Sequence, residues 1–260
     1  MSWLFAITFL GGMGAFYLLW LKEQPVPSAP LPSVEAPAAP AAKPEPAIRH
    51  PIQEAPASDK PLPPLSESDA PLQSALAEFF GRDALEKIFD LKDIVRRLVV
   101  TVDNLPRQKV PMRYRLFTPV DGKFLTAGKE ENIFIAVENY QRYAPYVRLA
   151  EAVDIQKLVA AYVHFYPLFQ QEYQNLGYPK GYFNDRLVEA IDNMLTTPDV
   201  KTRIKLVRPN VLYQFDDPTL EALTAGQKII LRMGPENAVR IKAKLRQIRQ
   251  ELTGQNFEQP

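Results

Sequence analysis

Thirteen of the chain's 25 prolines fall between Glu23 and Pro64, and so interrupted a stretch forms neither helix nor sheet, because each proline fixes φ and removes a main-chain donor. The alanines, serines and glutamates between them supply little apolar surface to bury, so the 42 residues read as a disordered, semi-rigid tether. In polyproline geometry they reach up to about 130 Å. The tether divides the chain into an N-terminal anchor (1–22), the linker (23–64), a globular domain (65–253) and a short tail (254–260).

The anchor is read from Trp3–Leu21, 19 residues without a charge. As a helix they extend about 28 Å, close to the hydrocarbon thickness of a bilayer. A cleaved signal peptide needs a basic start and a small-residue cleavage site; only Met1 and Ser2 precede the run, and Lys-Glu-Gln-Pro follows it. Trp3, Tyr17 and Trp20 lie near its ends, where amphipathic rings suit the headgroup layer. The segment is therefore expected to be a single-pass transmembrane helix with the bilayer as its partner. Lys22 and Glu23 offset one another, so charge hardly orients the span. The layout of span, tether and domain matches a bacterial inner-membrane protein with its domain in the periplasm.

About 190 residues remain for the domain, enough to bury roughly 70% of their unfolded surface without staples. There are no cysteines, which excludes disulfides and thiolate chemistry. A net charge of +1 gives no whole-molecule attraction to nucleic acid, and none is expected as a partner.

Helical periodicity dominates. Ser68 and Asp69 offer cap oxygens for a helix that Gly81 stops, and two more helices follow between Leu85 and Val102, although VVTV is β-branched. Residues 107–137 lose the rhythm. Asp121-Gly122 predicts a tight hairpin there, and Pro145 predicts an interruption in the helix that follows. From an Asp154 cap, a long aromatic-rich helix runs to Gly177, bent at Pro167; Ala160, Ala161 and Val163 carry its apolar face nearly round the middle turns, so that its centre is expected to be enclosed by other helices. Asn184 is predicted to cap the next helix, with Phe183 and Val188 as its hydrophobic staple, so the two helices form a central antiparallel hairpin. A ribbon turns at Pro209-Asn210, Asp217 caps a short helix opening with Pro218, and a last helix spans Pro235 to Gly254. The fold class is mainly α, a single helical domain with that hairpin at its centre and one or two small β-ribbons.

Taken in order, PLPPLSESD, RRLVVTVDNLPR, ENYQRYAPYV, YPLFQQEYQNLGYP, YFNDRLVEAIDNML and YQFDDPTLEALTAGQKIILRMG resemble the bacterial domain of unknown function 3014, over roughly Leu62 to Arg249. The resemblance implies a membrane span, a proline-rich linker and a domain of this length. It brings no activity, cofactor or catalytic residue.

The chemistry is then sought in the residues. Of the two histidines, His50 lies in the tether and His164 in the aromatic helix, too little for a nucleophile and base pair. No thiolate, HExxH or phosphate-binding loop occurs, so no cofactor or metal is expected. Asp185, Glu189 and Asp192 share one helix face and serve either the helix dipole and surface pairs or acid–base work. Asp103-Asn104 reads as a helix end. Seven Lys or Arg between Lys228 and Arg249, against Glu236 alone, predict a basic surface on the last helix. The candidate binding residues are Tyr178, Tyr182, Asn184, Asp185 and Arg186 of the GYPKGYFNDR turn, facing Asn139, Tyr140 and Arg142 of ENYQRY; tyrosine rings stack while their hydroxyls hydrogen-bond. Two functions follow: a non-enzymatic membrane-tethered interaction domain with a protein or cell-envelope partner, or an anchored enzyme or binding protein acting on an envelope polymer through this Tyr/Asp/Arg-lined groove, with Asp185, Glu189 or His164.

Overall fold

Asp154 opens the longest helix, accepting the Lys157 main-chain N–H at 3.1 Å, and the helix continues through Pro167 to Asn175. The computed structural model describes residues 47–52, 61–129 and 131–254, all within one compact unit. Trp3–Leu21 lies outside the described residues, among which no helix is long and apolar enough to cross a membrane.

The helices are α1 (Asp69–Phe80), α2 (Arg82–Ile88), α3 (Ile94–Asn104), α4 (Glu138–Ala152), α5 (Ile155–Asn175), α6 (Phe183–Leu195), α7 (Pro218–Glu221), α8 (Ala225–Arg232) and α9 (Pro235–Thr253). The strands are β1 (Thr126–Lys129), β2 (Asn132–Ile135), β3 (Lys205–Val207) and β4 (Gln214–Phe215). Instead of separate ribbons they make one antiparallel sheet in the order β1-β2-β3-β4, joined where Ile133 pairs with Leu206. The first hairpin closes between Lys129 and Asn132, not at Asp121-Gly122 as expected. Gly122 does take a positive φ of 80°, but Arg142 holds that bend from outside the sheet.

Three further expectations are corrected. Ser68 and Asp69 do not cap α1; Asp69 accepts the Asp93 and Ile94 N–H groups, both at 2.8 Å, and so caps α3. Asp93 sits at φ 51°, in the left-handed region, and makes no side-chain cap of its own, so the first donors of α3 take their acceptor from α1. Pro145 does not interrupt α4; one missing N–H leaves the neighbouring turns bonded. The middle of α5 is not enclosed all round, for Ala160 and Pro167 are exposed. VVTV, by contrast, is helical, and Val99, Val100 and Val102 are buried. Core packing outweighs the modest β-branch penalty.

Helices α5 and α6 meet one another, and both pack against α3 and α9. Their aromatic side chains build the main core with α1 to α3, and Phe183 is completely buried within it. A second cluster, Ile135, Ile204, Leu206, Phe215 and Leu231, seats the sheet on α8.

The cations from Lys228 to Arg249, expected to form a basic face on the last helix, are divided between α8 and α9, and most are structural fasteners. Lys228 pairs with Glu221 at 2.6 Å, Arg249 with Asp192 at 2.5 Å, and Arg240 with Glu151 through Nε at 2.6 Å. Lys244 donates to the Glu151 and Val153 carbonyls, and Arg232 lies over the Phe215 ring. Lys242 is buried and donates to the Thr197 carbonyl at 2.6 Å and to Asp199 at 2.8 Å. The Lys242 bond holds the Asp199 carboxyl below its ordinary 3.8. A lowered folded pKa means that this pairing contributes fully above that ordinary value and is lost as pH falls through the folded value. The Asp199→Asn chain should therefore be less stable than the parent at pH 7, with the gap closing below about pH 4. Urea midpoints of the two chains at several pH values measure this; a gap that stays constant into acid contradicts it.

Candidate binding site

The turn between α5 and α6 is fixed from α5. Gln170 reaches across it, donating to the Gly181 carbonyl at 2.8 Å and accepting the Phe183 N–H at 2.8 Å and the Tyr166 hydroxyl at 2.9 Å. A Cβ at Gly181 would come within 2.7 Å of the Tyr173 ring, so the turn needs glycine there to lie flat on α5. With the turn held down, Tyr182, Asn184 and Asp185 point to one place, where residues 47–52 of the proline-rich stretch lie.

That segment is held chiefly by its main chain. Asp185 accepts the Arg49 N–H at 3.0 Å and the His50 N–H at 2.8 Å, one on each carboxylate oxygen. Two successive N–H groups on one carboxylate form a small anion nest, and Asp185 stands in the first turn of α6, where the helix dipole favours negative charge. Asn184 donates to the His50 carbonyl at 2.8 Å, and the Tyr182 hydroxyl accepts the Ile52 N–H at 2.7 Å. Pro51 has no N–H, so every main-chain donor from Arg49 to Ile52 is met. The Ile52 side chain packs on the edge of the main core, while Arg49 and Pro51 are exposed.

Asn184 is not the helix cap that its sequence position suggests. It is completely buried in the first turn and accepts from the Tyr162 hydroxyl at 3.0 Å, which aims its amide at His50. Burial pushes the Tyr162 phenol well above 10 and raises Tyr166 likewise. Both stay protonated and serve as neutral supports behind the charged Asp185.

Tyr178 and Arg186 serve another purpose. Asp103, nearly buried, accepts from Arg186 Nε at 3.1 Å, from Arg107 Nη2 at 3.0 Å and from the Tyr178 hydroxyl at 3.3 Å. Arg107 Nη2 also donates to the Tyr178 hydroxyl at 2.7 Å, and Tyr178 stacks on Tyr173 with centroids 4.6 Å apart. The hydrogen bond to Asp103 is the main reason that the Arg107 guanidinium is raised. This network ties the end of α3 to the start of α6 and keeps the clamp in position.

Asn139, Tyr140 and Arg142 form a separate group. Asn139 is completely buried and pins Leu125, accepting its N–H at 2.9 Å. Arg142 donates to the carbonyls of Val120, Asp121 and Gly122 and to Asn139 Oδ1. Tyr140 lies against Gly234, where a Cβ would fall within 2.6 Å of its ring, and its carbonyl accepts from Asn237. These three hold loops around the sheet, and Arg142 also borders a cavity of about 610 Å³ lined by Lys87, Tyr146 and Arg148.

The carboxylates on the α6 face are divided among partners: Asp185 holds the linker, Glu189 pairs with Arg186 at 2.8 Å, and Asp192 pairs with Arg249. His164 packs edge-on to Phe165. Among the described residues no group of three or more His, Asp and Glu is placed to hold a metal ion.

Sequence reasoning missed Asp103, Gln170 and, above all, the occupant of the clamp. A signal was present. Residues 48–52 contain the linker's only isoleucines, its only arginine and its only histidine, in a stretch otherwise made mostly of Pro, Ala, Ser and Glu.

The domain thus defined is mainly helical, with a four-stranded antiparallel sheet and a polar clamp on one helix start. The chain belongs to the family described as "Protein of unknown function (DUF3014)", whose model matches residues 94–249. The clamp side chains fall inside that match and residues 47–52 outside it. No curated protein and no solved structure matches the chain.

Proposed function

We propose that this protein is a membrane-tethered, non-enzymatic interaction domain of the bacterial cell envelope, with Trp3–Leu21 as a single inner-membrane span and the domain on the periplasmic side. The observation that carries the interaction role is the clamp: Tyr182, Asn184 and Asp185 bind a peptide segment through its main chain, with Tyr162 and Gln170 holding them from behind. The uncharged span and the proline-rich stretch support the tethered placement. A domain carried in this way searches a shell of tens of ångströms above the lipid for its protein partner.

Cross-linking in intact membranes followed by affinity capture tests the reading. The parent chain should recover a reproducible set of proteins, and an Asp185→Ala, Tyr182→Phe double variant should lose most of it. Recovery of the same set by both chains would sink the clamp as the recognition surface. Topology is checked separately with a reporter fused after Pro260, which should be active in the periplasm and inactive in the cytoplasm.

A further inference from the structure

We infer that residues 48–52 occupy the clamp as an internal stand-in for a ligand of the same kind, and that the clamp takes in trans a bent peptide with two free N–H groups, then proline, then an aliphatic residue. This rests on the interaction reading given above. The clamp makes no hydrogen bond to an occupant side chain: its four bonds go to three N–H groups and one carbonyl of the segment. Such a site accepts any chain that presents the same main-chain geometry.

Two features of the occupant then define the ligand. Proline at position 51 fixes its own φ and biases the preceding residue away from helix, so the bend at Arg49-His50 is presented partly preorganised. The residue after it must offer an N–H to Tyr182 and an apolar side chain to the core edge, as Ile52 does. Arg49 contributes little by its charge, since its guanidinium is mostly exposed and 4.0 Å from Asp185.

The internal segment and a trans ligand compete for the same groups. Eight residues separate Ile52 from Pro61, where the described chain resumes, and so short a connection holds the segment near the clamp at an effective concentration on the order of millimolar. While it is seated, the apparent affinity for a second peptide falls by the fraction of open clamps. Few contacts hold it, and segments of this kind open at low free-energy cost.

The probe is a fluorescein-labelled synthetic peptide of residues 47–52, Ala-Ile-Arg-His-Pro-Ile, titrated by anisotropy into the full chain in detergent. The comparison chain carries His50→Pro and Ile52→Pro, which remove two of the clamped N–H groups and the Ile52 side chain from the core edge while leaving every residue of the helical domain unchanged. The peptide should bind the comparison chain at least tenfold more tightly than the parent, and adding Asp185→Ala should abolish that gain. A peptide with alanine at the proline position should bind about two- to fivefold more weakly, and one with alanine at the arginine position nearly as well as the original. Equal affinity for parent and comparison chains would overturn the competition; equal affinity of the alanine-for-proline peptide would overturn the ligand class. No binding to either chain at millimolar peptide would overturn exchange altogether. In that event the Asp185-dependent membrane cross-links still decide the broader reading on their own.

Discussion

Asp103→Ala should lower the stability of the domain by about 3–5 kcal/mol, the usual cost of removing one partner from a buried charge network. The reason lies in what is left behind. The Arg186 side chain is only 14% exposed, and Asp103 accepts its Nε and, through the main-chain carbonyl, its Nη2. Glu189 remains as a partner but is half exposed, and Tyr178 loses its acceptor. Arg107→Ala removes the more exposed cation of the same network and should cost about 1 kcal/mol or less. For a domain of this size the Asp103 change corresponds to a fall in Tm of roughly 6–20 °C. Urea denaturation of the full chain followed by tyrosine fluorescence measures the difference; equal effects of the two substitutions would show that Arg186 does not depend on Asp103.

Phe183→Ala should be as damaging, at about 3–5 kcal/mol. Its ring is completely buried, with centroids 5.6 Å from Tyr173 and 6.1 Å from Phe169. Truncation removes the aromatic contacts that join α6 to α5 and leaves a cavity directly beneath Tyr182 and Asn184. Phe183→Leu refills most of that volume and should cost about 1–2 kcal/mol. The alanine chain should also hold the probe peptide more weakly than its loss of folded fraction explains, because the clamp rests on this packing. A cost below 1 kcal/mol for the alanine change would contradict the placement of Phe183 at the centre of the core.

How much of this was legible in the sequence depends on whether a feature is made locally or between distant residues. Asp154 with Lys157 and Asp217 with Pro218 are caps written within four residues, and both are where the sequence puts them. The β3–β4 ribbon lies where alternation around Pro209-Asn210 puts one, but Leu206 pairs with Phe215, a register centred between Asn210 and Val211 and so one residue beyond the expected turn. Asp69, in contrast, serves a helix that begins 25 residues later, and no local pattern shows it. Phe183 reads from its neighbours as a staple outside a helix, but the approach of α5 makes it core. Pro145 reads as a break because the rule counts one lost hydrogen bond and not the packing that keeps α4 whole.

The site divides in the same way. Tyr182, Asn184 and Asp185 could be chosen from polar and aromatic crowding on a helix-borne turn, and the structure gathers them around one segment. Tyr178 and Arg186 belong to the Asp103 network, and Asn139, Tyr140 and Arg142 hold loops elsewhere. What periodicity could not provide was the pairing of residue 185 with residues 49 and 50, 135 and more positions away. Only the composition of residues 48–52 hinted that this part of the tether differs from the rest. The cations of α8 and α9 show the converse: a charge run that reads as open surface is mostly spent on Glu151, Asp192, Asp199 and Glu221.

The central claim is that Asp185 and Tyr182 hold the linker by its main chain, and amide hydrogen exchange read residue by residue on the full chain tests it most directly. The amides of Arg49, His50 and Ile52 should exchange at least tenfold more slowly than those of an unstructured peptide of the same sequence. In the Asp185→Ala chain, Arg49 and His50 should lose that protection while Phe183 at the start of α6 keeps its own. Exchange of all three amides at the unstructured rate in the parent chain would contradict the account.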